Sequence, residues 1–239
     1  MGTDPTDPEV FRERAHRMVD WMADYLAGVA DRPVWATARP GEVRAALPDH
    51  APAEPDDFDD VLADLDRVVM PGITHWQHPG WFAYFPGNSS PAAILAEMAG
   101  AALAPQGMLW KTGPAVTEVE SHVLDWCVEL FGLPEAWRVD SGVGGGVIQA
   151  SASDATHTAL VAARHVQATR GVGADRCVAY VSQQAHSSVE KGARVAGYGH
   201  VRLIGVDDEL AQRPDLLEAA VANDLDHGLV PAFACSAVG

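Results

Sequence analysis

From Val147 to Ala237 short apolar runs alternate with stretches of helical periodicity, and no other feature of the chain restricts its fold as much. Val147–Gln149, Cys177–Ser182, Val201–Val206 and Val230–Ala237 read as strands, while Asp154–Thr169, Ser187–Ala196 and Pro214–Asn223 read as the helices between them. Strand and helix in turn imply parallel strands joined by right-handed crossovers. The runs do not alternate apolar with polar residues, as expected of strands covered on both faces. The expectation is an α/β fold built on a mainly parallel sheet with flanking helices. Ligands in such sheets bind beyond the carboxyl ends of the strands, so the loops that follow strands are where chemistry is to be sought.

Two of those loops carry suggestive residues. The segment Ser141–Thr156 supplies Gly142, Gly144, Gly145 and Gly146 as a flexible approach, then a short apolar run, then Ser151, Ala152 and Ser153 at a strand-to-helix junction. The first N–H groups of a helix lack partners inside it, and an anion placed there gains hydrogen bonds and about 0.3–2 kcal/mol from the helix dipole. A tight turn capped by Ser153 accounts for the same residues without a ligand. The glycines do not close on a helix as Gly-x-Gly-x-x-Gly, and no lysine follows them as in a P-loop; a nucleotide-binding α/β module stays as the alternative. The second loop, Gln183–Glu190, places the imidazole of His186 after one strand and before a helix opened by Ser187 and Ser188.

The first part of the chain is helical. Phe11, Ala15, Met18, Val19, Met22, Tyr25, Leu26 and Val29 fall at spacings of three and four, so residues 8–29 present one apolar helix face, opened by Asp7-Pro8. Pro33, Pro40, Pro48, Pro52 and Pro55 make 31–57 an extended arm, and a second helix is expected over Phe58–Val69, ended by Pro71-Gly72. Pro91–Leu103 and Val116–Phe131 read as buried packing helices, with Ala92–Ala104 at a subunit or domain contact and Trp110 and Trp126 in the core. His75 and His78 are three residues apart beside a proline, with no third ligand nearby, and read as structural.

With 48% hydrophobic and 21% charged residues the chain is globular in type. A net charge of −17 argues against nucleic acid as a partner, and the acidic run Glu54–Asp66 reads as a solvated connector and helix face. No uninterrupted apolar stretch of about 18 residues suggests a membrane span. Cys127, Cys177 and Cys235 lie far apart in apolar runs, as buried free thiols would, which points to a reducing, cytoplasmic setting.

Several motifs in order resemble the pyridoxal-phosphate-dependent decarboxylases of aromatic amino acids, the group II family that also contains histidine and tyrosine decarboxylases. They are Val19–Leu26, Thr74-His75-Trp76-Gln77-His78-Pro79, Ala83-Tyr84-Phe85-Pro86, Pro114–Glu120 and the two loops above. The resemblance implies a type I PLP-dependent transferase-like fold, with 1–85 as a helical arm and dimerisation segment and 86–239 as part of the large cofactor-binding domain. It implies pyridoxal 5'-phosphate as cofactor, held by Ser151, Ala152 and Ser153 at its phosphate and by His186, the catalytic residue stacked on its ring. Trp76, Tyr84, Phe85 and Pro86 are then the substrate-binding residues, some contributed across a homodimer interface. The implied reaction removes the α-carboxylate of an aromatic L-amino acid.

Gly87 and Met108 depart from the residues most frequent at their positions in the family, which bears on the choice of aromatic ring. The family's cofactor-bonding lysine, its pyridine-pairing aspartate and its mobile loop are expected beyond Gly239, since the only lysines, Lys111 and Lys191, lie elsewhere. The expectation is therefore a truncated sequence, inactive by itself. A non-catalytic product that dimerises with a full-length relative, and an aldehyde-forming synthase on the same scaffold, are the competing expectations.

Overall fold

The computed structural model describes residues 4, 6–84 and 89–237. The backbone divides into two units, Met1–Ala104 and Pro105–Gly239.

In the first unit, helix α1 (Pro8–Gly28) begins where Asp7 accepts the N–H of Glu9, and it runs into a 3-10 turn at Val29–Asp31. The arm that the prolines predict as extended includes one helical turn, α2 (Glu42–Ala45). Helix α3 (Phe58–Asp64), capped by Asp57, widens into a π-helical turn over Leu65–Val69 and tightens into a 3-10 turn at Met70–Gly72. The helical path thus covers the predicted span and stops at Pro71-Gly72. Helix α4 (Pro91–Leu103) starts with the N–H of Ala93 donated to Ser90 Oγ and ends at Ala104, whose φ of 42° is left-handed. A side chain there costs about 1 kcal/mol that glycine avoids, so Ala104→Gly is expected to raise the urea midpoint of this unit; an unchanged or lower midpoint would contradict the strain.

The second unit holds α5 (Pro114–Leu130), α6 (Ala152–Thr169), β1 (Cys177–Ser182), α7 (Ser187–Val195), β2 (His200–Ile204), α8 (Pro214–Asp226) and β3 (Val230–Cys235). The strands form a parallel sheet in the order β2-β1-β3. Side chains alternate across a strand, and here both faces of β1 are covered. Cys177 and Ala179 pack with Leu160 of α6 and with Ala193, Ala196 and Tyr198, while Val178 and Tyr180 pack with Ile204 and with Leu217, Ala220 and Val221 of α8. Every residue of β1 is buried, which is why its sequence shows no polar alternation. The register against β3 slips between Val178 and Ala179, beside Pro231, a residue with no N–H to give the ladder.

Three expectations are overturned. Val147–Gln149 is not a strand: Val147 and Ile148 are 57% and 61% exposed, and the N–H of Ile148 is donated to the Glu120 carboxylate of α5 (2.8 Å) instead of to a neighbouring strand. The helices read as buried are not covered within their units, for α4 has no buried residue and the only one in α5 is Asp125. Trp110 and Trp126 are likewise 59% and 58% exposed, one donating to Glu118 (2.7 Å) and the other edge-on to His122. Apolar composition marks a surface that needs covering and does not name its cover. At the shorter scale, β2 ends at Ile204 and Val206 bridges antiparallel to Gln212; the three cysteines are free thiols, Cys177 buried and the others half-buried.

One polar cluster lies in the packed face. Asp224 of α8, 1% exposed, accepts the Tyr180 hydroxyl (3.0 Å) and two guanidinium N–H groups of Arg202 (2.8 and 3.1 Å). The hydrogen bonds from Arg202 hold its carboxyl below the usual range despite burial, and burial followed by the Asp224 hydrogen bond pushes the Tyr180 phenol up.

Candidate functional site

The glycine-rich segment is a folded turn, not the flexible approach its composition suggests. Two 3-10 turns, Glu135–Trp137 and Val139–Ser141, precede it, and Asp125 fastens the second by accepting the N–H of Val139 (2.8 Å). Ser141 Oγ accepts the N–H of Gly144 (2.9 Å), and Gly145, at φ 144°, donates to the Trp137 carbonyl (3.0 Å). A Cβ on Gly144 would lie 2.2 Å from the Ala136 carbonyl oxygen and 2.5 Å from the Trp137 carbonyl carbon. Glycine is required here by close backbone packing.

Beyond this turn the chain enters α6. Its cap is Ser151, two residues earlier than the Ser153 cap expected from sequence: Ser151 Oγ accepts the N–H of Asp154 (3.1 Å) and donates to that residue's carboxylate (2.8 Å). Ala152 and Ser153 then occupy the first two helical positions, where N–H groups have no intrahelical acceptor. A second helix start lies close by. After β1 a tight turn returns the chain through Ala185 N–H to Ser182 O (3.0 Å), and His186 caps α7, its Nδ1 3.3 Å from the Ser188 N–H it accepts and 2.9 Å from Ser188 Oγ. An acceptor role at Nδ1 puts the ring proton of the neutral form on Nε2.

These two starts share a cavity of about 320 Å³ lined by Ser153, Asp154, His157, His186, Lys191 and Gly192, among others. The structure therefore brings Ser153 and His186 together, with Ser151 and Ala152 adjacent as cap and first turn. Gly192 allows the approach, since a Cβ there would meet Leu160 Cδ1 at 3.0 Å. His157 and Asp154 were not singled out by sequence reading, although His157 follows Ser153 by four residues and so shares its helix face; Lys191, named there as lying apart from the family's cofactor-bonding position, lines the cavity. Two helix starts and Lys191 favour an anion and Asp154 opposes it. Among the described residues no group of three His, Cys, Asp or Glu side chains could hold a metal ion.

In the first unit, Trp76 and Tyr84 stack at 5.9 Å over the buried Trp81, which also meets Trp35 edge-on at 5.0 Å. Tyr84 adopts a φ of 59°, unusual for a bulky residue. Phe85 and Pro86 lie outside the described residues.

A family model described as the pyridoxal-dependent decarboxylase conserved domain matches residues 40–239. Phenylacetaldehyde synthase of Arabidopsis thaliana is 44% identical over 98% of this chain and 49% of its own length. Aromatic-L-amino-acid decarboxylase of Sus scrofa is 43% identical over 96% of this chain and 49% of its own. Among solved structures, Catharanthus roseus tryptophan decarboxylase in complex with L-tryptophan superimposes with a TM-score of 0.90 at 38% identity, covering 98% of this chain and 51% of that one. The chain spans about half the length of the curated relatives it matches.

Proposed function

Because the chain belongs to the pyridoxal-dependent decarboxylase family, we propose that it contributes the phosphate- and ring-holding part of a carboxy-lyase acting on an aromatic L-amino acid. The observation that supports this most is the single cavity that Ser153 and His186 line at two helix starts. The donor set suits pyridoxal 5'-phosphate: the Ala152 and Ser153 N–H groups and the Ser153 hydroxyl would face a phosphate dianion, with Ser151 as the cap that fixes this helix start, and the His186 imidazole would offer a flat surface to the pyridine ring. When bound, the cofactor supplies an electron sink for the bond that loses carbon dioxide. The protein's part is positional. By flanking the pyridine ring, His186 would fix the orientation of the cofactor relative to a bound amino acid.

Trp76 and Tyr84 form the wall for the substrate's aromatic side chain, a reading favoured by their exposed stack; Phe85 and Pro86, expected beside them, lie outside the described residues. The named relatives include both a decarboxylase and an aldehyde synthase, so the aldehyde-forming outcome is the second reading. Residues 1–85 act as an arm that pairs two copies, and the apolar, uncovered α4 fits burial in such a homodimer. Neither Lys111 nor Lys191 bonds the cofactor; a borohydride-fixed cofactor on either lysine would overturn this.

Titration with pyridoxal 5'-phosphate, followed by cofactor absorbance, tests the site. His186→Ala is expected to weaken binding about 2- to 10-fold, the equivalent of an aromatic contact of about 0.5–1.5 kcal/mol. Equal binding by the variant would remove His186 from the site, and no binding by the parent chain would remove the site itself.

A further inference from the structure

The two histidines that spacing alone marks as structural are built into the aromatic wall. The segment carrying Trp76 is fastened to the end of α1 and the turn after it through both rings. His75, 3% exposed, donates its backbone N–H to the Val34 carbonyl (2.9 Å), and its ring Nδ1 lies 3.0 Å from the Tyr25 hydroxyl. His78 Nδ1 accepts the N–H of Gly80 (2.8 Å), while Nε2 lies 3.1 Å from the Ala30 carbonyl oxygen. Those two partners determine the state of the ring. Gly80 needs a lone pair on Nδ1, so the proton sits on Nε2 and is donated to Ala30. A second proton would set Nδ1–H against the Gly80 N–H, one residue before Trp81.

We propose that His75 and His78 are positioning residues, a clasp that is closed while the buried His75 ring is neutral and His78 Nδ1 accepts the Gly80 N–H, and that sets the Trp76, Trp81 and Tyr84 rings in place; its bearing on substrate rests on the reading of Trp76 and Tyr84 as the substrate wall. The titratable and charged groups facing the pair are Tyr25 from α1, Arg32 from the turn that follows, and each other. Arg32 lies over the Tyr25 ring at 5.5 Å. Burial, then the positive charges of Arg32 and His78, hold His75 below its ordinary 6.5. A histidine lowered in the folded state contributes stability that is present above the ordinary value and lost as pH falls through the lowered one. Acid therefore opens the clasp.

Circular dichroism of the full chain reads this without turnover. Indoles as close as Trp76 and Trp81 (4.8 Å) and Trp35 and Trp81 (5.0 Å) couple and give a paired band that Trp76→Phe assigns. The band should persist near pH 8 and fall by more than about half by pH 5, with the helix signal retained. His78→Ala should lack it at neutral pH. His78→Asn, whose carbonyl oxygen can accept the Gly80 N–H, should keep it; this variant decides the matter if His78→Ala fails to fold. A band that ignores pH, ignores Trp76→Phe or survives His78→Ala overturns the clasp. If the clasp behaves as described while L-tyrosine leaves the band unmoved, the clasp stands and the substrate-wall reading fails.

Discussion

Asp224→Ala is expected to cost the second unit about 3–5 kcal/mol, the range for removing one partner of a buried ion pair and leaving the other uncompensated. Asp224 is the acceptor for both Tyr180 in the central strand and Arg202 in the neighbouring one, so its loss strands two donors against α8. Arg202 keeps about a third of its side chain in water (37%), which places the expected loss toward the lower end. Since domains are stable by only about 5–15 kcal/mol, the variant should sit close to unfolding at room temperature. Asp224→Asn keeps a carbonyl oxygen for Tyr180 and should lose less.

The same group gives a pH signature. Its carboxyl is lowered from 3.8, first by hydrogen bonds from Arg202, against burial, and then by Tyr180. A lowered carboxylate contributes stability that is complete above the ordinary value and lost as pH falls through the folded-state value, so the parent chain should weaken below about pH 4 and Asp224→Asn should lack that part of the slope. Urea midpoints followed by helix signal measure both effects. A loss below about 1 kcal/mol for Asp224→Ala would mean that the pair is no better than a surface contact.

This network shows where sequence stops informing. Tyr180, Arg202 and Asp224 are separated by 22 to 44 residues, and no local pattern links them. Whatever rests on a period was legible: β1 reads as a strand buried on both faces because α6, α7 and α8 flank it, and the helices of both units begin close to where their caps announce them. The family and its fold were legible from ordered motifs. The cavity was legible in part, since Ser153 and His186 each follow from a loop after an apolar run. His157 was missed although it shares a helix face with Ser153, and the cap fell on Ser151 because either serine satisfies the composition rule and only backbone angles choose between them. Val147–Gln149 failed for a different reason. A strand exists only beside another, and the carboxylate of Glu120 takes its N–H here.

Gly144 is the position where the turn and the proposed cofactor site can be tested together. The three nearest atoms to a Cβ at this residue are backbone atoms of Ala136 and Trp137, at 2.2, 2.5 and 2.7 Å. A flexible side chain could swing aside from such a contact, but two peptide units pinned by Ser141 and by the Gly145 bond to Trp137 cannot. Gly144→Ala must move the turn, at a cost of about 1–3 kcal/mol typical of overpacking or somewhat more. Gly100 offers the contrast, since a Cβ there, in the last turn of α4, meets nothing within 4 Å, and Gly100→Ala should gain up to about 0.5–1 kcal/mol. The displaced turn leads directly through Gly146–Ala150 into the Ser151 cap. Binding of pyridoxal 5'-phosphate should therefore weaken in Gly144→Ala even at temperatures where the sheet remains folded, although residue 144 supplies no atom to the cavity lining. Calorimetric unfolding and cofactor titration on the same sample separate the two effects. Normal stability with normal cofactor binding would show that the turn relaxes freely, and the close packing of Gly144 against Ala136 would then have no part in shaping the start of α6.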